Sequence, residues 1–353
     1  MHQTKHKSTQ FTEEVFQRRH KRRIATFSSL LALLVIAVVL SVVLGQFYVP
    51  LQHLPGLILK GPGQTELAGN VIWSIRLPRI FLGLLVGAAL GVAGTLMQAV
   101  FANPLAEPSI IGVTAGAGVG AALVIVFNIG ILGTFTIPLG AFVSAVLVTV
   151  IIYQLARSQG KVAVVNLILT GIAINAVCGA LISFMVYLAP TANREQIIFW
   201  QMGSLNGSQW KHVFVVIPIV VIGILMALRL GKQLDVLALG ERAACHTGIN
   251  VGRLRIIAIA ASTVLTAGAV SFAGLIGFVG LIVPHLLRSI VGPENKILLP
   301  ASALAGAVLI ALADVAARTV IPFADLPIGI FTALVGGPTF FVLLRRMLRK
   351  GIR

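Results

Sequence analysis

Of 353 residues, 58% are apolar and only 10% charged, against about 25% charged in a soluble globular domain; a single water-soluble core is excluded, and a bilayer is the natural solvent. The formal net charge of +17 would suit a nucleic-acid binder, but the basic residues fall where membrane topology places them, which excludes that class. Cys178 and Cys245 support neither a disulfide framework nor a thiolate metal site and read as small hydrophobes.

Residues 1–23 are polar and basic, with Lys5, Lys7, Arg18, Arg19, Lys21, Arg22 and Arg23. The apolar run 24–45 follows, and about 20 residues are enough to cross a hydrocarbon core of about 30 Å. It is too long for a signal-peptide core, no A-x-A-like site follows, and it reads as an uncleaved first span. Further apolar stretches lie at 80–101, 109–127, 131–156, 163–188, 211–230, 254–273, 275–291, 298–317 and 328–344, which predicts ten transmembrane helices and an all-α polytopic membrane protein. The long run 254–291 is divided at Ala273-Gly274, because glycine relaxes the backbone there.

With the N-terminus inside, the inside segments hold 21 of the 27 Lys and Arg residues and the outside segments 6. That is the asymmetry of the positive-inside rule, and it places both termini in the cytoplasm. The chain then divides into a basic cytoplasmic segment (1–23), one transmembrane domain (24–348) and a cytoplasmic tail (349–353). Two segments do not span. Residues 192–206 are amphipathic and predict a short helix at the outer surface. Residues 231–252 have helical periodicity broken by Gly240 and Gly248 and predict a pair of short helices on the cytoplasmic face, within 234–250.

Arg76-Leu77-Pro78-Arg79 sits at the outer mouth of the second span, against the positive-inside trend. Snorkelling to headgroups is the plainer explanation. The functional one is a cationic patch for carboxylates of an extracytoplasmic partner, since a guanidinium pairs bidentately with carboxylate. Arg318 could join the patch, with Asp314 one turn earlier orienting it or simply pairing with it. The turn Asn103-Pro104-Leu105-Ala106-Glu107-Pro108 reads as a rigid inner connection, with Glu107 complementing a helix N-terminus. Leu239, Gly240, Glu241, Arg242, Ala243, Ala244 and Gly248 form a small exposed element suited to a cleft on another protein, or an interfacial helix without a partner. Pro284, His285 and Arg288 mark the inner end of the eighth span. An ionisable group there is a functional candidate, although a lone His is more often hydrogen-bonded structure, and no second His or Cys completes a metal site. Gly112–Gly120 and Gly274–Gly280 favour close helix packing. No G-x-x-x-x-G-K-[ST] occurs, so the chain has no P-loop of its own. No paired membrane carboxylates and no nucleophile–base pair are found, and no cofactor is called for.

RLPRIFLGLLVGAALGVAGTLMQAVFANPLAEPSIIGVTAGAGVG (76–120), LALGERAACHTGINV (237–251), GLIGFVGLIVPHLLR (274–288) and LLPASALAGAVLIALADVAARTVIPFADLPIGIFTALVGGPTFFVLL (298–344) together resemble the FecCD permease family, the membrane subunits of type II ABC importers for iron siderophores, haem and cobalamin. The likeness runs from about residue 24 to 348; residues 1–23 fall outside it, and Asp325 stands where the family more often has Glu. The resemblance implies a permease, not an enzyme, with ten helices per subunit and a path between two subunits, identical or paralogous, lined largely by spans 5 and 10. It implies two cytoplasmic ATPase subunits that take up residues 237–250 as the coupling element. A substrate-binding protein would dock outside, with its acidic residues on Arg76, Arg79 and Arg318. The expected cargo is a ferric siderophore carried across a bacterial cytoplasmic membrane, with haem or cobalamin as the alternative. An ion-coupled secondary transporter is the rival from another class, but it would need embedded carboxylates, and Asp314 is the one candidate.

Overall fold

The computed structural model describes residues 2–47, 49–63, 66–158 and 161–351. No glycine or proline occurs between His2 and Val43, and α1 (His2–Val43) runs without a break for 42 residues through the basic stretch and the apolar run alike. The 22 residues before Ile24 thus extend the first span by about 33 Å of helix.

Short helices α2 (Leu54–Leu59) and α3 (Leu67–Asn70) and a π-helical turn (Val71–Arg76) lead into α4 (Leu77–Val100). The second helical path therefore starts 13 residues before the expected residue 80. There follow α5 (Val113–Val126), α6 (Thr136–Leu155), α7 (Val164–Leu188), α8 (Thr191–Met202) and α9 (Trp210–Leu237). The chain ends with α10 (Glu241–His246), α11 (Val251–Ala273), α12 (Val279–Val291), α13 (Asn295–Thr319) and α14 (Ile328–Gly351). A two-residue antiparallel ladder, Arg157–Ser158 with Lys161–Val162, turns α6 into α7.

Among the described residues seven helical stretches are long and apolar enough to cross a membrane, and Val113–Val126, Val279–Val291 and Ile328–Val342 are shorter apolar helices, in keeping with ten spans. The most apolar windows of α4, α11 and α13 are 78%, 72% and 61% buried, whereas those of α1 and α7 are each 17% buried. The first three are the core and the last two are periphery. Large side chains such as Val35, Leu147, Leu169 and Ile222 stand exposed on peripheral helices, a surface that lipid tolerates and water would not.

Helix α4 is the hub, packed against α13, α11, α9 and α12. Its approach to α13 requires glycine: a methyl group on Gly87 would lie 2.2 Å from the Gly306 carbonyl oxygen. Against α12 the approach is tighter still, with a methyl on Gly94 falling 1.9 Å from the Gly280 oxygen.

The break at Ala273-Gly274 stands where the sequence places it. Gly274 adopts φ +70°, and the chain is non-helical until Val279, four residues later than the expected start of the eighth span. This irregular backbone is held by Ser204 N donating to Ala273 O (2.7 Å), Leu275 N to Trp200 O (3.3 Å) and Ile328 N to Gly203 O (2.9 Å). Three helix breaks satisfy one another, as irregular backbone at membrane depth must. One expectation is corrected. The pair of short helices expected within 234–250 does not form, because α9 continues through Gly231 to Leu237 and leaves α10 alone as a separate short helix. Periodicity alone does not distinguish a new helix from the last two turns of a long one.

Candidate functional site

The candidate residues gather at the two ends of the bundle. At one end the C-terminus of α1 meets the start of α4 and the end of α13. Arg76 Nη1 donates to the carbonyls of Val42 and, at 3.2 Å, Val43, and Nη2 donates to that of Phe47. Arg318 Nη2 donates to Ser41 Oγ (2.7 Å) and Ser41 O (3.2 Å), and Nη1 to Leu44 O (3.3 Å). Arg79 Nε donates to Asp314 Oδ1 and Nη1 to Asp325 Oδ2, both at 2.8 Å. Asp314 Oδ2 lies 3.0 Å from Arg318 Nε, a charge contact outside hydrogen-bond alignment.

Arg76, Arg79 and Arg318 thus converge as the sequence reading expects, but as a sealed node. They are 4%, 5% and 7% exposed, and Asp314 is 2% exposed. The physical reason is desolvation: a guanidinium taken out of water must find acceptors, and the neighbouring carbonyls and two aspartates supply them. Three guanidiniums against two carboxylates leave one positive charge in excess. Arg79 Nη2 is buried without a hydrogen-bond partner among the described residues. The i,i+4 spacing made Asp314–Arg318 legible. Asp325, 246 residues from Arg79, carried no local signal beyond its place in the DLPIG motif.

At the opposite end, α10 stands out as a small projection. Gly240 (φ +113°) and Gly248 (φ +82°) bracket it, and a Cβ on either would meet nothing within 4 Å. Leu239 is 78% exposed and Arg242 is exposed, while Ala243 is half-buried and Ala244 is buried beneath them. Glu241, at the first turn, pairs with Arg255 of α11, which pins the N-terminus of α10. Asp235, near the end of α9, accepts from the backbone N–H groups of Asn295 and, at 3.4 Å, Lys296, capping the start of α13. Sequence reasoning missed that cap, since its partners lie 60 and 61 residues away.

The two expected turns meet at this same end. Asn103 Oδ1 accepts from Leu105 N (2.9 Å), an Asx turn around Pro104 that opens the connection to Pro108. Ser109 Oγ donates to Glu107 Oε1 (2.6 Å), which ties the two side chains together across the turn. In α12, which contains Pro284, Arg288 Nη2 donates to Gln98 Oε1 (3.2 Å), and Gln98 Nε2 donates to Leu281 O (3.1 Å). His285 faces the carbonyl of Pro104. These residues form joints between α4, α5 and α12. A cavity of about 150 Å³ opens beside them, between Glu107, Thr266 and Phe278.

The sequence matches the FecCD transport family over residues 33–346. The chain belongs to the FecCD transport family. It is 41% identical over 284 residues to the cobalamin import system permease protein BtuC of Halobacterium salinarum, covering 80% of this chain and 75% of that one. It is 38% identical over 284 residues to the hemin transport system permease protein HmuU of Yersinia pestis, covering 78% and 83%. A solved structure described as an inward-facing conformation of a metal-chelate type ABC transporter superposes with a TM-score of 0.80 at 33% identity, covering 91% of this chain and 99% of that one. This FecCD protein is accordingly a multi-pass membrane permease of an ABC importer, not an enzyme; ATP hydrolysis belongs to a separate subunit, and the family implies a second permease subunit.

Proposed function

We propose that this FecCD permease forms half of the pore of an importer that moves a ferric siderophore through the cytoplasmic membrane by alternating access. The likeness to a metal-chelate transporter over nearly the whole chain carries the reading. The largely apolar faces of α7 and α14, such as Val177, Leu181, Leu334 and Val335, suit a bulky chelate released into a cavity with specificity left to a binding protein. Haemin and cobalamin are the second reading, favoured by the named relatives. The test is uptake of labelled ferric hydroxamate, ferric catecholate, ferric citrate, haemin and cobalamin in a strain lacking this permease and in the complemented strain. Restored uptake of the ferric hydroxamate, catecholate or citrate complex supports the proposal; restoration of haemin or cobalamin alone replaces it with the second reading.

The charge asymmetry supports a cytoplasmic location for both termini and for α10, with the arginine–aspartate node outside. Cys178 is buried and Cys245, on α10, is exposed, which supplies a native reporter. A membrane-impermeant maleimide is expected to spare the protein in intact cells and to label Cys245 in inside-out vesicles, with Cys245→Ser abolishing the signal. Labelling in intact cells would reverse the topology.

In this orientation α10 engages one of two ATPase subunits, and closing of the ATPase dimer moves the bundle through α9 and α11, which flank it. The node at the other end receives a substrate-binding protein. Asp325 is the member of the node open to exchange, its side chain 26% exposed, so a partner carboxylate would replace Asp325 on Arg79.

A further inference from the structure

Residues 1–32 lie outside the matched family segment, yet α1 carries the helix through them to a defined contact. Arg22 Nη2 donates to Ser289 O (3.4 Å) and Arg23 Nε to Val291 O (3.2 Å), covering the last carbonyls of α12. Arg23 Nη2 also meets Glu294 Oε1 at 2.5 Å. Between α1 and the α12–α13 turn lie two adjoining cavities of about 350 and 200 Å³, and both are lined by Arg19, Arg23 and Glu294. His20 lines the first, and Arg22 with the 289–293 backbone lines the second.

Charge in this cleft is unbalanced. Glu294 answers Arg23, while Arg22 meets only a carbonyl, and Arg19 and His20 have no hydrogen-bond or ion-pair partner among the described residues. The cleft sits where the apolar run begins, at Ile24, and Ile24, Leu31 and Val35 below it are each more than half exposed. A ligand filling it would present an anion to guanidiniums and hydrocarbon to α1. Basic pockets between transmembrane helices at the membrane surface hold anionic lipid headgroups for this reason.

We propose that the cleft formed by Arg19, His20, Arg22 and Arg23 against the α12–α13 turn binds the phosphodiester headgroup of an anionic glycerophospholipid of the phosphatidylglycerol class. Arg19 and Arg22 supply the forked donors for the phosphate oxygens. Arg23 holds the turn in place, and the acyl chains run along α1. The assignment is independent of the cargo and of which leaflet the cleft faces.

The experiment is native mass spectrometry of the full chain released from nanodiscs containing equal phosphatidylglycerol and phosphatidylcholine, compared with Arg19→Gln/Arg22→Gln and with the control Arg229→Gln/Arg253→Gln. Retained phosphatidylglycerol is expected to fall about fivefold for each arginine removed and about thirtyfold in the Arg19/Arg22 double variant, the ratios that correspond to about 1 kcal/mol per basic residue at a membrane surface. The control is expected to retain the parental amount. Equal loss in both variants would reduce the effect to diffuse electrostatics and overturn the pocket, as would unchanged retention in Arg19→Gln/Arg22→Gln. A third arm adds excess inorganic phosphate before release: persistence of bound lipid supports the headgroup assignment, and displacement by inorganic phosphate overturns it in favour of a free-anion site. Should the double variant not fold, Arg19→Gln alone, which removes no hydrogen bond or ion pair among the described residues, carries the fivefold expectation.

Discussion

Asp314→Ala is expected to destabilise this permease by about 3–5 kcal/mol, the scale for removing one partner of a buried ion pair. Asp314 is 2% exposed and stands between Arg79 at 2.8 Å and Arg318 at 3.0 Å. Its loss leaves two buried guanidiniums with Asp325, the Ser41 hydroxyl and backbone carbonyls as their hydrogen-bond acceptors among the described residues. Asp325→Ala is expected to do far less, within about 1 kcal/mol, because that carboxylate is partly solvated and its pair is screened. Thermal denaturation in nanodiscs measures both. An unchanged melting temperature for Asp314→Ala would show that the node contributes nothing to folding. The combined variant Arg79→Met/Asp314→Leu/Arg318→Met separates structure from docking. Apolar replacement of a buried ion triad is often neutral or stabilising; Arg76 keeps its carbonyl acceptors and the Asp325 left behind is partly exposed, so the fold is expected to survive. Uptake is nevertheless expected to fail if a binding protein needs these arginines; normal uptake would remove the docking role.

The second large effect is expected at α10. Leu239 is 78% exposed beside a glycine whose φ of +113° fits no other residue comfortably, so Leu239→Asp alters the surface without disturbing the packing beneath. A hydrophobic anchor at the centre of a contact is worth about 2 kcal/mol or more, or about thirtyfold in affinity. Leu239→Asp is therefore expected to abolish most ATP-driven uptake, with the permease correctly inserted and the ATPase subunit recovered in reduced amount on co-purification. Full uptake with normal ATPase recovery would remove the coupling assignment. Bulky replacement of Gly240 is a weaker test, since it strains the backbone regardless of any partner.

Particular residues show why some features were readable in advance and others were not. The break at Ala273-Gly274 was visible because glycine announces it locally, and Asp314–Arg318 because four residues make one helical turn. The division of 231–252 escapes the sequence because hydropathy and periodicity describe a helix without saying where it joins its neighbour. The extension of α1 through the basic segment was hidden for the opposite reason: charge suggested a tail, while the lack of any helix breaker kept the helix intact. The sequence reads the arginines as reaching headgroups or a partner's carboxylates, yet the fold brings them carbonyls from Ser41, Val42, Leu44 and Phe47.

The medium, the number of spans, the orientation bias and the family motifs were all determined by the chain's order of residues, because each depends on runs and spacings of a few neighbours. The tertiary structure alone decided that Arg79 would find Asp325, that Asp235 would cap α13, and that Arg19 and Arg22 would line a cleft with α12. Those pairings join positions tens to hundreds of residues apart, and their energies exist only once helix packing has brought the groups together and removed the water between them.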